Sequence, residues 1–227
     1  MKSKKLKKWT TLLTCATALT VMTACSQSGS QSTGTTSSTT SKTSAVTATT
    51  SKKTNKNNSN YFTSKDSDTS YNESSATKIK LSGSSADVSG DGASLSGSTV
   101  TISKAGTYVI SGKSDGVQIK VDAGDSDDVH IVLDGATMTN TNAAINATKA
   151  GHVYLTLKDG TTNTLSDSSS NSDEDADAVI FSKGDLTING SGTLNIDAKK
   201  NNGIKANDSL HMTGGTYKIS SVGDAFN

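Results

Sequence analysis

Val129-His130-Ile131-Val132-Leu133-Asp134-Gly135 decides how this chain folds, because it comes back. Val153-Tyr154-Leu155-Thr156-Leu157-Lys158-Asp159-Gly160 repeats its alternation and its glycine-closed end. So do Leu186-Thr187-Ile188-Asn189-Gly190 and Leu210-His211-Met212-Thr213-Gly214-Gly215. Val129 and Val153 are 24 residues apart, as are Leu186 and Leu210, whereas Val153 and Leu186 are 33 apart. The nine extra residues coincide with the polar stretch 166–177, which reads as a surface loop. Second halves follow in Gly192-Thr193-Leu194-Asn195-Ile196 and Gly215-Thr216-Tyr217-Lys218-Ile219. A third short element stands ahead of the repeated strands, in Ala178-Val179-Ile180, Asn202-Gly203-Ile204 and Asp224-Ala225-Phe226. A fixed period with three short strands per unit predicts a stacked β-solenoid. A β-sandwich has similar strand spacing but does not require the self-similarity.

Stacked strands about 4.8 Å apart share one continuous interior built from a thin apolar stripe on each. That accounts for a chain with only 31% hydrophobic and 4% aromatic residues, where globular domains approach half apolar. Scarce Leu and abundant Thr, Val and Ile disfavour a helical fold. Thr99–Gly112 reads as a hairpin leading into Val117–Val121, together forming the cap and first unit. At the other end the repeat breaks off at Asn227 inside a further unit, the mark of an incomplete domain.

Outside 77–227 the chain changes character. Lys2, Lys4, Lys5, Lys7 and Lys8 precede a mildly apolar run from Trp9 to Ala24, the layout of a secretory signal peptide. Residues 25–76 are a Ser-, Thr-, Asn- and Lys-rich stretch without periodicity, expected to be a disordered linker. The formal charge of +1 becomes −4 once the signal lysines are removed, and the 77–227 domain carries 12 Lys against 18 acids. With no arginine in the chain, nucleic acid is excluded as a partner on charge grounds. Met22-Thr23-Ala24-Cys25 resembles the bacterial lipobox, with Met in place of the usual Leu. The resemblance implies cleavage before Cys25 and lipid on its thiol, palmitate included. The chain would then be anchored on the extracytoplasmic face of a cell membrane, Gram-positive-like, and free of disulfides. The alternative is an ordinary secreted protein cut after Ala24 with a free cysteine.

Alternation places Val129, Ile131, Val153, Leu155, Leu186, Ile188, Leu210 and Met212 inside and His130, Tyr154, Thr187 and His211 outside. In register, the outer four form one exposed column. His130, Tyr154 and His211 are the candidate carbohydrate-binding residues, since an aromatic ring face suits the apolar C–H face of a sugar. The competing reading is an ordinary mixed outer face. Asp173, Glu174, Asp175 and Asp177 crowd one loop, with Asp185 close behind, and oxygen ligands at short spacing suit calcium. The competing reading is a solvated loop with an Asx-turn ladder, in which Asp177, Asn201, Asn202 and Asp224 cap successive corners. No catalytic residue is assigned: Lys183, Lys199, Lys200 and Lys205 read as exposed corner residues, and no nucleophile-elbow motif is present.

Three runs together, Ala105–Gly112, Val129–Met138 and Gly184–Leu194, resemble the bacterial carbohydrate-binding domain-containing lipoproteins. The likeness extends from roughly Leu81 to Asn227 and covers the N-terminal part of a longer family domain. It implies a right-handed parallel β-helix related to polysaccharide lyases, with calcium in the fold. It also implies binding of cellulose-like and pectin-like polysaccharide without established catalysis. The expectation is therefore an all-β protein, a right-handed parallel β-helix preceded by a disordered linker. As a membrane-anchored monomer it would bind polysaccharide without cleaving it. A calcium-dependent polysaccharide lyase and a surface adhesin or spacer are the rival readings.

Overall fold

The computed structural model describes residues 42–47 and 61–227. The expected signal peptide, Cys25 and most of the linker lie outside the described residues. Seventeen strands follow one another: β1 (Lys42–Thr47), β2 (Thr77–Gly83), β3 (Ser85–Ser89), β4 (Ala93–Ser96), β5 (Thr99–Ile102), β6 (Gly106–Asp115), β7 (Gln118–Asp122), β8 (Asp128–Thr139), β9 (Ile145–Lys149), β10 (His152–Leu157), β11 (Thr162–Ser166), β12 (Ala178–Ser182), β13 (Asp185–Gly190), β14 (Thr193–Ala198), β15 (Asn202–Ala206), β16 (Leu210–Met212) and β17 (Thr216–Ser221). Among the described residues the one helical element is a 3₁₀ turn, Ser64–Ser67. The chain is all-β, with an eleven-stranded and a six-stranded mixed sheet.

Three parallel series make up most of both sheets. β6, β8, β10, β13 and β16 pair in that order. The second halves of β6 and β8 continue into β11, β14 and β17. β5, β7, β9, β12 and β15 form the third series. The repeat sets these pairings: Val129 lies opposite Val153, Val153 opposite Leu186, and Leu186 opposite Leu210. The 33-residue interval leaves the register intact, because the extra residues exit between β11 and β12.

Inward residues then stack by type. Ile131, Leu155 and Ile188 form one column, and Ile119, Ile145, Ile180 and Ile204 another. All seven are buried in a single apolar cluster. Each such side chain contributes about 1.5–3 kcal/mol on leaving water. That is how a chain poor in apolar residues holds together: among the described residues most apolar side chains are buried.

Two expectations are corrected. Thr99–Gly112 is not a hairpin, because β5 and β6 lie in different sheets; the hairpins are β2–β3 and β4–β5. Gly97 at φ 59° sits in the two-residue turn of β4–β5, a conformation that glycine adopts without steric cost. The linker also ends earlier than Ala76: residues 61–76 cross the first series and are hydrogen-bonded to it. β1, likewise within the expected linker, pairs antiparallel with β17.

The corner between the first and second series is where glycine matters most. Gly190 has φ 93°, and a Cβ there would collide with the Leu157 carbonyl of the preceding unit. Gly160, at φ 70°, has open space around the same atom. We predict that Gly160→Ala costs about 1–2 kcal/mol for the left-handed backbone alone. Gly190→Ala should cost measurably more in urea denaturation; equal losses would show that the backbone contact is not felt.

Candidate functional site

The outward face of β8, β10, β13 and β16 carries three polar rows. Tyr154 lies opposite His130 and Thr187, and Thr187 opposite His211, so the expected column exists in register. Two residues toward the strand starts, His152 lies opposite Asp128 and Asp185; two residues the other way, Thr156 lies opposite Asn189. His152 and Tyr154 stack at 4.1 Å between ring centroids, nearly parallel. Sequence reasoning passed over His152, although its position two residues before Tyr154 puts it on the same face.

The column is not exposed. Residues 61–76 lie across it, and Tyr154 is only 9% accessible. Asp66, in the 3₁₀ turn, is buried at 1% exposure. Its Oδ1 accepts hydrogen bonds from Thr187 Oγ1 at 2.6 Å and His211 Nδ1 at 3.1 Å. Its Oδ2 accepts from the Thr63 amide at 2.7 Å and the Thr63 hydroxyl at 2.9 Å. Its carbonyl accepts from Thr213 Oγ1 at 2.6 Å and Asn189 Nδ2 at 3.2 Å, and the Asp68 carbonyl accepts from Asn189 at 3.0 Å. Burial alone would push the Asp66 carboxyl up, but the hydrogen bonds from Thr187, Thr63 and His211 hold it well below the usual carboxylate range.

Apolar and ionic contacts complete the covering. Phe62 packs on His211 at 5.1 Å, and Tyr71 meets His130 edge-on at 6.1 Å. Tyr71 also rests on Ala76, Val109 and Val132. Lys65 pairs with Asp128 and sits 4.8 Å above the Tyr154 ring; the hydrogen bond to Asp128 raises its ammonium pKa.

The proton positions follow from what each partner can do. A carboxylate only accepts, so Thr187 donates to Asp66, and His152 Nε2, 2.8 Å from the same hydroxyl, donates to Thr187. Thr156 donates to Asn189 Oδ1 at 2.6 Å, so His130 Nε2, at 2.7 Å, donates to Thr156. Burial lowers the pKa of both His130 and His152, against the opposing charges of Asp68 and Asp185 respectively. The hydrogen bonds thus place a proton on Nε2 of both imidazoles, and burial favours their neutral form.

Beneath the covering segment a cavity of about 250 Å³ remains, lined by Lys65, Asp68, Thr107, Asp128, His130 and Tyr154 among others. It is below the roughly 300–1,000 Å³ of small-molecule sites. A larger one, about 490 Å³, lies between 74–78, 89–91 and 105–108. Its one aromatic, Tyr108, is buried, its hydroxyl donating to the Lys104 carbonyl at 2.8 Å with the Gly92 carbonyl 3.2 Å away, so it presents no ring to a ligand.

The acidic loop does not gather into a cation site. Asp173 Oδ1 caps its own loop, accepting from the amides of Asp175 at 3.2 Å and Ala176 at 3.0 Å. Asp177 is held by Asn201 and by Lys205, 2.8 Å away. Asp185 is on the first series and accepts from Ser209. Among the described residues no three His, Cys, Asp or Glu side chains converge on a point that could hold a metal. These five carboxylates do not converge on one point; within the loop Asn171 and Asp173 cap their own turns, whereas Asp177 meets Asn201 and Asn202 accepts from the Asp224 amide at 3.1 Å, contacts between successive units. The buried carboxylate here that sequence reasoning missed is Asp167. Its Oδ1 accepts from the Lys199 amide at 2.6 Å, its Oδ2 has no hydrogen-bond partner, and burial raises its pKa.

A stacked all-β chain with a polar, aromatic-bearing outer face is the kind of scaffold on which extended ligands are held. The carbohydrate-binding domain-containing protein family matches residues 96–227, more than half of the sequence, and the chain belongs to that family. A carbohydrate-binding domain-containing protein of Acetivibrio thermocellus is 39% identical over 126 residues, 53% of this chain and 44% of that protein. Among solved structures, the gadolinium derivative of the polysaccharide lyase-like protein from C. thermocellum is similar at a TM-score of 0.61 and 36% identity. That likeness covers 63% of this chain and 61% of the other. The chain thus spans less than two thirds of either relative's length.

The two half-buried histidines generate a pH prediction. Their folded pKa values lie below the ordinary 6.5, so the unfolded chain binds more protons and stability falls as pH drops through about 6.5. The groups facing them are Lys65, Asp68 and Tyr71 around His130, and Asp66, Asp128, Asp185 and His211 around His152. The melting temperature should be lower at about pH 5 than at about pH 7.5. The double variant His130→Gln/His152→Gln should flatten that slope; an unchanged slope would place its origin elsewhere.

Proposed function

We propose that the outward face of β8, β10, β13 and β16 binds polysaccharide, without cleaving it. The observation that carries this reading is the in-register row of His130, Tyr154, Thr187 and His211, flanked by the His152–Tyr154 stack. With residues 61–76 off it, such a row would offer ring faces and directional donors at the spacing of successive strands, which an extended glycan can follow. Family membership supports the ligand class. The architecture we infer is a right-handed parallel β-helix. Three parallel series support it, as does the rule that crossovers between parallel strands are right-handed in about 98% of cases. Calcium takes no part in this reading.

The polysaccharide lyase reading is favoured by the lyase-like solved relative. It needs a base beside the reacting sugar; with Nε2 donating to Thr156 and Thr187, Nδ1 of His130 or His152 is the nitrogen that would have to serve. We further propose that Cys25 carries lipid and tethers the domain, a monomer, to the outer side of a cell membrane. The basic run, the apolar run and the lipobox-like Met22–Cys25 support this.

Retention on immobilised polygalacturonate and cellulose tests the binding reading. Tyr154→Ala should weaken retention about tenfold, the scale of one aromatic contact. Failure to bind any glycan would favour the adhesin or spacer reading, and the appearance of unsaturated uronide absorbance would establish the lyase. For the anchor, Cys25→Ser should move the protein from the membrane fraction to the soluble one; unchanged partitioning would refute lipidation there.

A further inference from the structure

This inference rests on the outward face being the glycan surface, and concerns what lies on it. The covering segment is held by an unusual division of roles. Thr187, Asn189, His211 and Thr213, all on β13, β16 and the residue after it, act as donors toward the segment, and Asp66 and Asp68 act as acceptors. Lys65 to Asp128 is the one hydrogen bond running the other way among the described residues. The face is thus a preformed set of donors, and the segment supplies a carboxylate and two carbonyl oxygens to match it.

Two of the donors do not need the segment for their own placement. Thr187 is oriented from behind by His152, and Asn189 by Thr156, both within the strand series. If the segment lifted, a seat for a carboxylate, made by Thr187 Oγ1 and His211 Nδ1, would stand open beside a seat for neutral oxygens, made by Asn189 and Thr213. A uronic acid unit carries both kinds of oxygen; a neutral hexose unit carries only the second. With the segment in place, only the 250 Å³ cavity is left, and a glycan chain cannot lie along the row.

We propose that Thr63–Asp68 is a tethered competitor for the glycan, with Asp66 seated where the carboxylate of an acidic saccharide binds. Segment and acidic glycan exclude one another. Apparent affinity is reduced by the fraction of molecules in which the segment is down. The segment's attachment to the domain through Thr77 keeps it at high local concentration, so it re-seats once the ligand leaves.

The test uses the full chain with polygalacturonate as the acidic probe and a cello-oligosaccharide as the neutral one. Asp66→Ala removes the occupant and leaves the donors; Tyr71→Ser loosens the segment through its apolar hold on Val109 and Val132, away from the seat. Both variants should bind polygalacturonate more tightly, by about tenfold or more, with little change for the neutral probe. In the unaltered protein, polygalacturonate should speed tryptic cleavage after Lys65. In Asp66→Ala/Thr187→Val the gain should vanish, because the seat has lost a donor. Equal affinity of the unaltered protein and both single variants, with Lys65 protected throughout, would overturn the competition and leave the glycan face standing. Weaker binding by Asp66→Ala would overturn it too, by making Asp66 part of the site. An equal gain for the neutral probe would overturn the carboxylate seat. If no variant retains any glycan while all melt cooperatively, the face itself is not a glycan surface and the inference falls with it.

Discussion

Register between parallel strands is the constraint on which everything else in this molecule depends. A slip of one residue in a strand carries its whole apolar set to the solvent side. Here the penalty applies to several strands at once, because Ile131, Leu155 and Ile188 stack as one column and Val129, Val153 and Leu186 as another. Fixing the inner columns fixes the outer ones without further information. The polar row of His130, Tyr154, Thr187 and His211 is the necessary reverse side of an apolar stack.

What that reverse side does is a matter of hydrogen-bond direction. Two chains run across it, His152 to Thr187 to Asp66, and His130 to Thr156 to Asn189. Each imidazole Nε2 and each hydroxyl has one proton to give, so once the acceptor at the end is set the whole chain points one way. Hydrogen bonds to a charged partner contribute about 1.5–3 kcal/mol each, and neutral ones about half as much. The covering segment is therefore held firmly by a few contacts around Asp66 and lightly elsewhere, where Phe62 remains 41% exposed.

Much of the fold was legible because the signals are local. The 24-residue recurrence located the partners of Val129 and Leu186, and alternation sorted inner from outer residues. The spacing of the acidic loop left its role open, since carboxylates that cap their own turns and carboxylates that bind a cation are spaced alike. The covering segment was not legible at all. Asp66 meets Thr187 across 121 residues of sequence and Thr213 across 147. Its surroundings, Thr63-Ser64-Lys65-Asp66-Ser67-Asp68, have the composition of a linker. Complementarity of donors to acceptors leaves no period for a sequence to display. The hairpin misreading of Thr99–Gly112 has a related cause: alternation marks strands but does not say to which sheet each belongs.

The loop between β11 and β12 has an implication of another kind. Eleven residues, 167–177, leave the stack and return to it, and Ile180 still faces Ile145 across the interval. Its tip, Ser169-Ser170, is exposed, while the residues that anchor it, Asn171, Ala176 and Phe181, are buried. The scaffold thus already contains a natural splice point: foreign sequence entering at the tip would begin and end on fixed posts. An epitope, a reporter or a binding module could be displayed there, away from the outward face of β8, β10, β13 and β16 and without disturbing the columns beneath.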